Sequence, residues 1–343
     1  MQHARPIKRS EQPVFVIGCH RSGTNFLYDT LLSAGGFAVY RGYLPIYKML
    51  IPHFGSMERQ DSRRKIIATW LQSKGFQRSG LNAEELSAQL DRCHDGGSFI
   101  RTVMDSVARK QGARWAVYDP DNVLYLPDIK ADLPEALFIH IIRDGRDIAV
   151  SLKKMGEFRP VPWNRKPASL EATALYWRWM VQSGRKNGSL FPNDYFEVRY
   201  EDLVTAPEPT LQSVGRFLGQ DLDYRQIERN KLGSLREPNS SFGRMSASSD
   251  SNPVYRWKKM LSREQVATLE ALVGDCLQQS GYELSLSEHE RRPALREICM
   301  RTVYPRLLDA KLWLKTKTPA GSLSDLSALE LGEDSEDSDL VPF

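Results

Sequence analysis

Short apolar runs alternate along the chain with longer segments in which apolar residues recur every three or four positions. The short runs predict buried β-strands, and the longer segments predict helices that bury one face. The predicted strands are Val14–Ile17, Phe37–Tyr40, Arg114–Tyr118, Leu137–Ile142 and Tyr195–Val198. Because strands that alternate with helices are typical of α/β proteins, we expect a three-layer α/β/α fold with a mainly parallel central sheet.

Helical periodicity fills most of the sequence between these strands. The predicted helices are Thr24–Ala34, Asp61–Gly75, Ala83–Cys93, Ser98–Gln111, Asp144–Met155, Ser169–Gly188, Pro207–Leu218 and Arg263–Gly281. A basic segment from Arg291 to Lys317 is also helical in pattern. Gly156–Ala168 is rich in Pro and Arg, and Glu237–Asn252 is rich in Ser and Asn, so both are predicted to be mobile loops able to close over ligands.

The first predicted strand ends in a loop that is bounded by glycines. The stretch reads Gly18-Cys19-His20-Arg21-Ser22-Gly23-Thr24-Asn25. Loop amides and the N-terminus of the following helix converge on one anion in such an arrangement, so it predicts a phosphate site. Thr24 and Asn25 stand where the nucleoside-triphosphate loop G-x-x-x-x-G-K-[ST] has its lysine and its magnesium-binding hydroxyl. The cation lies inside the loop, at Arg21, which argues against magnesium-assisted hydrolysis of ATP or GTP.

A second basic motif follows the apolar run Leu137–Ile142. Arg143 stands at the predicted strand end, and Ser151 lies in the predicted helix that follows. The two side chains can meet if the chain turns into a helix between them. A guanidinium and a hydroxyl placed together predict a second phosphate clamp.

With both motifs in this order, the chain resembles the sulfotransferases that use 3′-phosphoadenosine 5′-phosphosulfate. The Arg-Ser-Gly-Thr loop resembles that family's 5′-phosphosulfate loop, and the pair Arg143 and Ser151 resembles its 3′-phosphate site. Phe196–Leu203 and the later cluster Arg256-Trp257-Lys258 also resemble family elements. The resemblance runs from about Pro13 to about Leu284 and implies an α/β/α fold of the P-loop-containing nucleotide-binding type.

The resemblance implies a set of cofactor contacts. Those for the 5′-phosphosulfate are Arg21, Ser22, Gly23, Thr24 and Asn25; those for the 3′-phosphate are Arg143 and Ser151; and Tyr200, Arg256 and Lys258 would contact the adenine or the 3′-phosphate. Trp257 is equally well explained as part of the core. Sulfuryl transfer needs cationic stabilisation of the bridging oxygen and a base for the acceptor, and Arg21 is placed to supply the first.

The catalytic base is not found where relatives place it. Related enzymes commonly have a Glu just after the second strand, where this chain reads Tyr40-Arg41-Gly42-Tyr43-Leu44-Pro45, and many have a Lys at the position of Tyr118. His20 is our candidate catalytic base, because its ordinary pKa suits proton transfer near neutrality. It would otherwise donate a hydrogen bond to the cofactor.

Other groups remain open for the missing roles. Asp119 and Asp121 are alternative bases, although Asp119 also suits a cap for the next helix. Arg41 is a candidate to replace the charge of the missing lysine.

These motifs lead to two functional hypotheses. The first is a sulfotransferase that moves a sulfuryl group to a hydroxyl or amine acceptor, without a metal. The alternative is a catalytically degenerate relative that binds a nucleotide or a partner without transfer; a kinase is a distant third. The acceptor is expected to be a small molecule, glycan or lipid, and the aromatic residues that would line its pocket, or belong to the core, are Tyr43, Tyr47, Phe54, Trp70 and Trp163.

Composition adds a domain plan and a charge asymmetry. The net charge of +4 conceals a body of about +11, because seven carboxylates and no basic residue follow Gly321. We expect a sulfotransferase domain over 13–284 with an acceptor-side insertion at 41–113, a helical extension at 285–320 and an acidic, disordered tail at 321–343. The composition also bears on location and partners. Four scattered cysteines, a polar N-terminus and no long apolar run predict a cytoplasmic protein with no membrane span. The absence of a basic tract interleaved with aromatics argues against nucleic-acid binding.

Overall fold

The computed structural model describes residues 8–155, 168–236 and 254–331. Its centre is a parallel sheet of four strands, β1 (Val14–Gly18), β2 (Ala116–Tyr118), β3 (Leu137–Ile142) and β4 (Tyr195–Arg199), in the order β2-β1-β3-β4. Val14 pairs with both Ala116 and Leu137, and Phe138 pairs with Tyr195. Because the strands are parallel, the loops that follow them leave the sheet at one edge, which is where ligands bind in such folds.

Helices surround this sheet. They are α1 (Thr24–Ser33), α2 (Ile51–Phe54), α3 (Gln60–Leu71), α4 (Lys74–Gln77), α5 (Ala83–Leu90), α6 (Gly96–Gln111), α7 (Leu126–Asp132), α8 (Gly145–Met155), α9 (Leu170–Gly188), α10 (Tyr200–Thr205), α11 (Pro207–Leu218), α12 (Tyr224–Asn230), α13 (Trp257–Met260), α14 (Arg263–Gln279) and α15 (Leu295–Lys317). A π-helical turn (Ile46–Leu50) precedes α2, and 3₁₀ turns cover Arg9–Glu11, Pro120–Leu124, Gly233–Leu235, Pro319–Leu323 and Ser327–Leu329.

The two faces of the sheet carry separate apolar cores. Phe15, Ile17 and Phe138 point into one core, which α6, α8, α9 and α14 cover. Val16 and Ile139 point into the other, which α1, α11 and α12 cover. Strands buried on both faces are continuously apolar, which is why their sequence shows no alternation. The three-layer α/β/α fold with a parallel sheet is therefore confirmed.

One predicted strand is wrong. Phe37–Tyr40 does not form a strand, and Phe37 makes only an isolated bridge with Arg114. The side-chain amide of Gln111 binds the backbone of Val39, accepting from its N–H at 2.9 Å and donating to its carbonyl at 3.0 Å. A side chain thus satisfies the backbone groups that a neighbouring strand would otherwise pair.

Other segments of the prediction fall outside the described residues. Residues 156–167 and 237–253, which hold nearly all of the two predicted mobile loops, are among them, and so are residues 332–343 of the predicted acidic tail. The domain boundaries drawn from the sequence remain predictions. Among the residues that the structure describes, no helix combines the length and the apolar character needed to cross a bilayer.

The C-terminal part of the chain packs against both the core and the insertion. Leu308 of α15 is buried, and Asp309 accepts a hydrogen bond from the indole N–H of Trp179 on α9 at 2.7 Å. Beyond α15, the Ser324 carbonyl lies 2.9 Å from Nδ1 of His53, and Glu330 pairs with Lys74 at 2.6 Å. Leu308 and Asp309 of the predicted extension thus pack against the core, and Ser324 and Glu330 of the predicted tail pack against the insertion.

A buried ion network fixes the edge of the sheet where β3 ends. The Arg146 guanidinium donates to both carboxylate oxygens of Asp144, at 3.0 and 2.8 Å, and to Glu270 of α14 at 2.6 Å. It lies 3.9 Å from the ring centroid of Trp257. All three charged side chains are almost completely buried, so each charge depends on its partners.

Replacing Arg146 with Met tests this network. The substitution leaves Asp144 and Glu270 buried without their cation, so we expect the free energy of unfolding in urea to fall by about 3–5 kcal/mol. Arg263→Met removes an exposed pair with Glu290 and should cost less than about 1 kcal/mol. Equal losses in the two variants would contradict a structural role for the buried network.

Candidate functional site

The loop after β1 is shaped by two close backbone approaches. A Cβ at Gly18 would lie 2.6 Å from the carbonyl oxygen of Ile141, and a Cβ at Gly23 would lie 2.5 Å from the Tyr200 ring. Gly23 also has a φ of 96°, which L side chains rarely adopt. Arg21 has a φ of 71°, an uncommon conformation for a non-glycine residue.

Hydrogen-bond donors of this loop stand at the start of α1. Gly23 is the N-cap of α1 and offers no side-chain cap, so the first amides of the helix have no side-chain acceptor from that position. The Oγ atom of Ser22 is buried and has no hydrogen-bond partner among the described residues. A buried hydroxyl without a partner is costly, and an anion at the helix N-terminus would satisfy both features. Thr24 is the first residue of α1 and is buried, and Asn25 beside it is partly exposed.

The second predicted clamp lies against the first. Arg21 donates from Nε to Oγ of Ser151 at 3.2 Å, and Arg143 donates to the carbonyl oxygen of Arg21 at 3.4 Å. Arg143 also approaches Asp147 at 3.6 Å. The parallel pairing of β1 with β3 explains the meeting, because it brings the two following loops to adjacent positions.

Tyr200 and Arg256 complete this basic cluster. The Arg143 guanidinium lies 4.5 Å from the ring centroid of Tyr200. Burial and the neighbouring charge of Arg143 lower the pKa of Arg256, so the two guanidiniums are close enough to repel. Asp147 positions Arg256 by accepting the backbone N–H groups of Tyr255 at 3.0 Å and Trp257 at 2.8 Å.

Lys258 and Trp257 are the remaining members of the predicted cluster Arg256-Trp257-Lys258. Lys258 is exposed and lies over the rings of Tyr255 and Trp257, at 5.0 and 5.7 Å. Trp257 is buried and donates its indole N–H to Asp144 at 3.1 Å, so it serves as core, as the alternative interpretation held.

On the other side of the loop, His20 belongs to a buried charged triad. Nε2 of His20 lies 3.1 Å from Oδ1 of Asp121, and Oδ2 of Asp121 forms an ion pair with Lys48. Burial would raise the pKa of Asp121, but the charge of Lys48 and the hydrogen bond with His20 hold it below its ordinary value. Burial would lower the pKa of Lys48, but Asp121 raises it well above its ordinary value. Both groups are therefore ionised at neutral pH.

The triad bears on the candidate bases, because the contact with Asp121 constrains His20. In the tautomer in which Nε2 donates to Asp121, the lone pair of His20 is on Nδ1. Asp119 accepts the backbone N–H of Asp121 at 3.0 Å and caps the 3₁₀ turn, as its position before Pro120 suggested. Burial raises the pKa of Asp119, and Asp121 adds to that rise.

Lys48, which the sequence reasoning did not identify, brings a positive charge to the turn after β2. Arg41, the candidate to replace the charge of the missing lysine, forms an ion pair with Asp29 of α1 instead. Lys48 lies on the π-helical turn within the insertion and reaches the 3₁₀ turn after β2. No local motif marks it, because its partner stands 73 positions further along the chain.

The aromatic residues proposed for the acceptor side divide into two groups. Trp70 is fully buried in the core, and Tyr47 and Phe54 line an open groove of about 760 Å³ on the insertion. Tyr43 packs against the core from a partly buried position. Trp163 lies outside the described residues.

The comparison with protein families agrees with this geometry. A model described as the sulfotransferase family matches residues 13–224, which include Arg21, Arg143, Ser151 and Tyr200. The chain belongs to the sulfotransferase family.

Curated relatives of this sulfotransferase match it over most of its length. A putative protein-tyrosine sulfotransferase of Caenorhabditis briggsae is 24% identical over 288 residues, covering 81% of this chain and 91% of the relative. The nodulation protein NoeE of Sinorhizobium fredii is 26% identical over 314 residues, covering 81% of this chain and 67% of the relative.

Solved structures of sulfotransferases also resemble it. The sulfotransferase domain of the Synechococcus PCC 7002 olefin synthase has a TM-score of 0.49 and 18% identity, covering 83% of this chain and all of that domain. A mouse sulfotransferase in complex with PAP has a TM-score of 0.42 and 17% identity, covering 80% of this chain and 89% of that one.

Substituting Asp121 with Asn tests the triad. The change leaves Lys48 buried without its carboxylate, so we expect the free energy of unfolding at pH 7 to fall by about 3–5 kcal/mol. Because the folded-state pKa of Asp121 lies below its unfolded value, its contribution is complete above about pH 4 and is lost as the pH falls further. The difference between wild type and Asp121→Asn in urea titrations should therefore narrow below about pH 4.

The exposed Asp221 offers a matched control. Asp221→Asn should change the free energy of unfolding by no more than about 0.5 kcal/mol at either pH. A loss in Asp121→Asn that is small at pH 7, or independent of pH, would show that the triad does not stabilise the fold.

Proposed function

We propose that this sulfotransferase moves a sulfuryl group from 3′-phosphoadenosine 5′-phosphosulfate to a hydroxyl or amine acceptor. The observation that carries the proposal is the meeting of the two anion clamps, where Arg21 contacts Ser151 at 3.2 Å and Arg143 contacts the Arg21 carbonyl. A nucleotide with phosphate groups at both its 5′ and 3′ positions needs two such clamps side by side.

The donor set fits this nucleotide. The Ser22 hydroxyl and the first amides of α1 are suited to the 5′-phosphate, since an oxyanion there would accept from groups that otherwise lack partners. Arg143, Ser151 and Arg256 are suited to the 3′-phosphate, because an anion between the two guanidiniums would relieve their repulsion. Tyr200 lies between Gly23 and Arg143 and links the two clamps.

His20 and Arg21, adjacent in the loop after β1, then have different roles in sulfuryl transfer. His20 accepts the proton of the acceptor as the acceptor oxygen or nitrogen bonds to sulfur. Arg21 stabilises the negative charge that develops on the bridging oxygen as its bond to sulfur breaks. Asp121 holds the imidazole in the required tautomer, and Lys48 keeps that carboxylate ionised.

The insertion supplies one of the residues in this proposal. Lys48 belongs to residues 41–113, so the insertion contributes directly to the charged triad beside the loop. This supports the acceptor-side position predicted for it. The name of the Caenorhabditis briggsae relative specifies a tyrosine acceptor, so phenolic hydroxyls belong in the first acceptor screen with sulfur-labelled donor.

The cofactor assignment is tested by calorimetric titration with 3′-phosphoadenosine 5′-phosphate. Arg143→Ala removes a charge-assisted contact worth about 1.5–3 kcal/mol, so Kd should rise at least about tenfold. Arg225→Ala, an exposed arginine on α12, should leave Kd unchanged. Failure of the wild type to bind would overturn both the transferase proposal and its nucleotide-binding alternative.

The base assignment is tested by His20→Gln with any acceptor found in the screen. Loss of a general base should lower kcat by about 10²–10⁴-fold, while Kd for 3′-phosphoadenosine 5′-phosphate stays close to that of the wild type. An unchanged kcat would remove His20 from catalysis. A wild type that binds the nucleotide but sulfates no acceptor would favour the degenerate relative.

A further inference from the structure

Helix α15 is apolar on two sides. Its inner side packs against the core through residues at every fourth position: Met300, Tyr304, Leu308 and Leu312. Its outer side carries exposed residues at a spacing of three or four positions, which we call the outer stripe: Val303, Leu307, Ala310, Trp313 and Leu314. A surface helix of a globular protein normally has polar side chains on its outer side. The packing of the domain therefore does not explain the outer stripe.

The inner side of α15 also borders a cavity. Leu308, Lys311 and Lys315 line this space of about 80 Å³, which lies beside Asp121. These residues and those packed against the core occupy one half of the helix circumference. The outer stripe lies on the other half, which faces away from the cavity.

The side chains of the outer stripe are open to solvent. Val303, Leu307 and Leu314 are 44%, 41% and 48% exposed, and Trp313 is 58% exposed. From Val303 to Leu314 the stripe is about 16 Å long, at a rise of about 1.5 Å per residue. A continuous row of exposed apolar side chains of this length is typical of a surface that contacts another molecule or a membrane.

Three cations lie close to the outer stripe. Arg296, Arg306 and Lys317 are exposed. A helix turns by about 100° per residue, so all three lie within about 60° of Val303 around its axis. Lys317 approaches Asp128 at 4.0 Å, and an ion pair between two exposed groups at that distance contributes little. The apolar row is thus accompanied by positive charge along its length.

The carboxylates of α15 point elsewhere. The helix, which the structure describes throughout, has two of them, Glu297 and Asp309. Asp309 accepts the indole N–H of Trp179 at 2.7 Å, and Oε2 of Glu297 is buried. The charge that α15 presents beside the outer stripe is therefore positive.

This charge distinguishes the occupants that an apolar surface can have. A second copy of the chain, docked through the same stripe, would bring two sets of like charges together. An acidic peptide would pair with the cations, but the convex side of a single helix gives it no groove to occupy. A bilayer with anionic headgroups accepts both features, because apolar and tryptophan side chains enter the interface while arginine and lysine stay among the headgroups.

We propose that the outer stripe of α15 is a docking surface for an anionic lipid membrane. Val303, Leu307 and Leu314 enter the boundary between headgroups and acyl chains, and the neighbouring cations bind the anionic headgroups. The helix lies in the plane of the membrane surface. The inference goes beyond the proposed sulfotransferase function and does not depend on it, because it uses neither the nucleotide nor the acceptor.

Binding is tested by co-sedimentation of the full chain with lipid vesicles. One set is phosphatidylcholine alone, and the other contains about one third phosphatidylserine. We expect the apparent Kd to be at least about tenfold lower for the anionic vesicles, because cations close to such a surface are attracted to it. Added salt should weaken this binding. Equal binding to both sets, or binding to neither, would overturn the proposal.

Variants assign the binding to the outer stripe. Leu307→Gln combined with Leu314→Gln removes two apolar side chains from the bilayer, so the apparent Kd for anionic vesicles should rise at least about tenfold. The matched control is Leu190→Gln, which changes a leucine that is 62% exposed in the turn after α9 and should leave binding unchanged. Wild-type binding by the double variant would show that another surface holds the membrane and would contradict the proposal.

The cations are tested separately from the apolar residues. Arg306→Gln combined with Lys317→Gln should remove most of the preference for phosphatidylserine, while Arg225→Gln, on the exposed surface of α12, should retain it. Both altered positions are exposed, so Tm should stay at the wild-type value. A preference that survives the loss of both cations would be evidence against the assigned headgroup contacts.

Sedimentation velocity without lipid tests the competing occupant. We expect the wild type to be monomeric through this surface, with the same sedimentation coefficient as the Leu307→Gln, Leu314→Gln variant. A wild-type dimer that this variant converts to monomer would make the outer stripe an interface between copies of the chain and would overturn membrane docking.

Discussion

The buried guanidinium of Arg146 is the interaction on which the arrangement of the site depends. Its carboxylate partners stand just after β3 and on α14, and Asp144 in turn accepts from Trp257 and donates its backbone N–H to Glu201 at 3.0 Å. Separating a buried charge from its partner strongly destabilises the fold, so the ion network holds these separate elements in one geometry. Arg143 and Arg256 flank this network along the chain, so their positions follow from it rather than from the ligand.

The charged residues on the two sides of the loop after β1 are arranged differently. On one side, guanidinium groups lie near one another, and burial together with the charge of Arg143 lowers the pKa of Arg256. On the other side, the ammonium group of Lys48 and the carboxylate of Asp121 compensate each other, and His20 contacts the same carboxylate. His20 and Arg21 are adjacent in sequence, so one turn of chain joins the two groups of charged residues.

Sequence patterns were sufficient for features that depend on local geometry. The glycines at 18 and 23, the apolar run of β3 and the helix starting at Gly145 each follow from residues within a few positions, and all are found. Lys48 was missed because its role depends on how a long insertion folds back onto the turn after β2. The strand predicted at Phe37–Tyr40 was wrong because β propensity cannot reveal that a glutamine side chain will bind that backbone. The inward direction of Lys311 and Lys315 likewise depends on which face of α15 packs against α9.

The position of α15 outside the family-matched region has an evolutionary consequence. Residues 13–224 contain the anion loop, Arg143 and Ser151, whereas α15 spans Leu295–Lys317 and still lines the cavity beside Asp121. Selection can therefore act on the two parts independently. Mutations in α15 can alter the shape and charge of that cavity while the loop after β1, Arg143 and Ser151 stay unchanged.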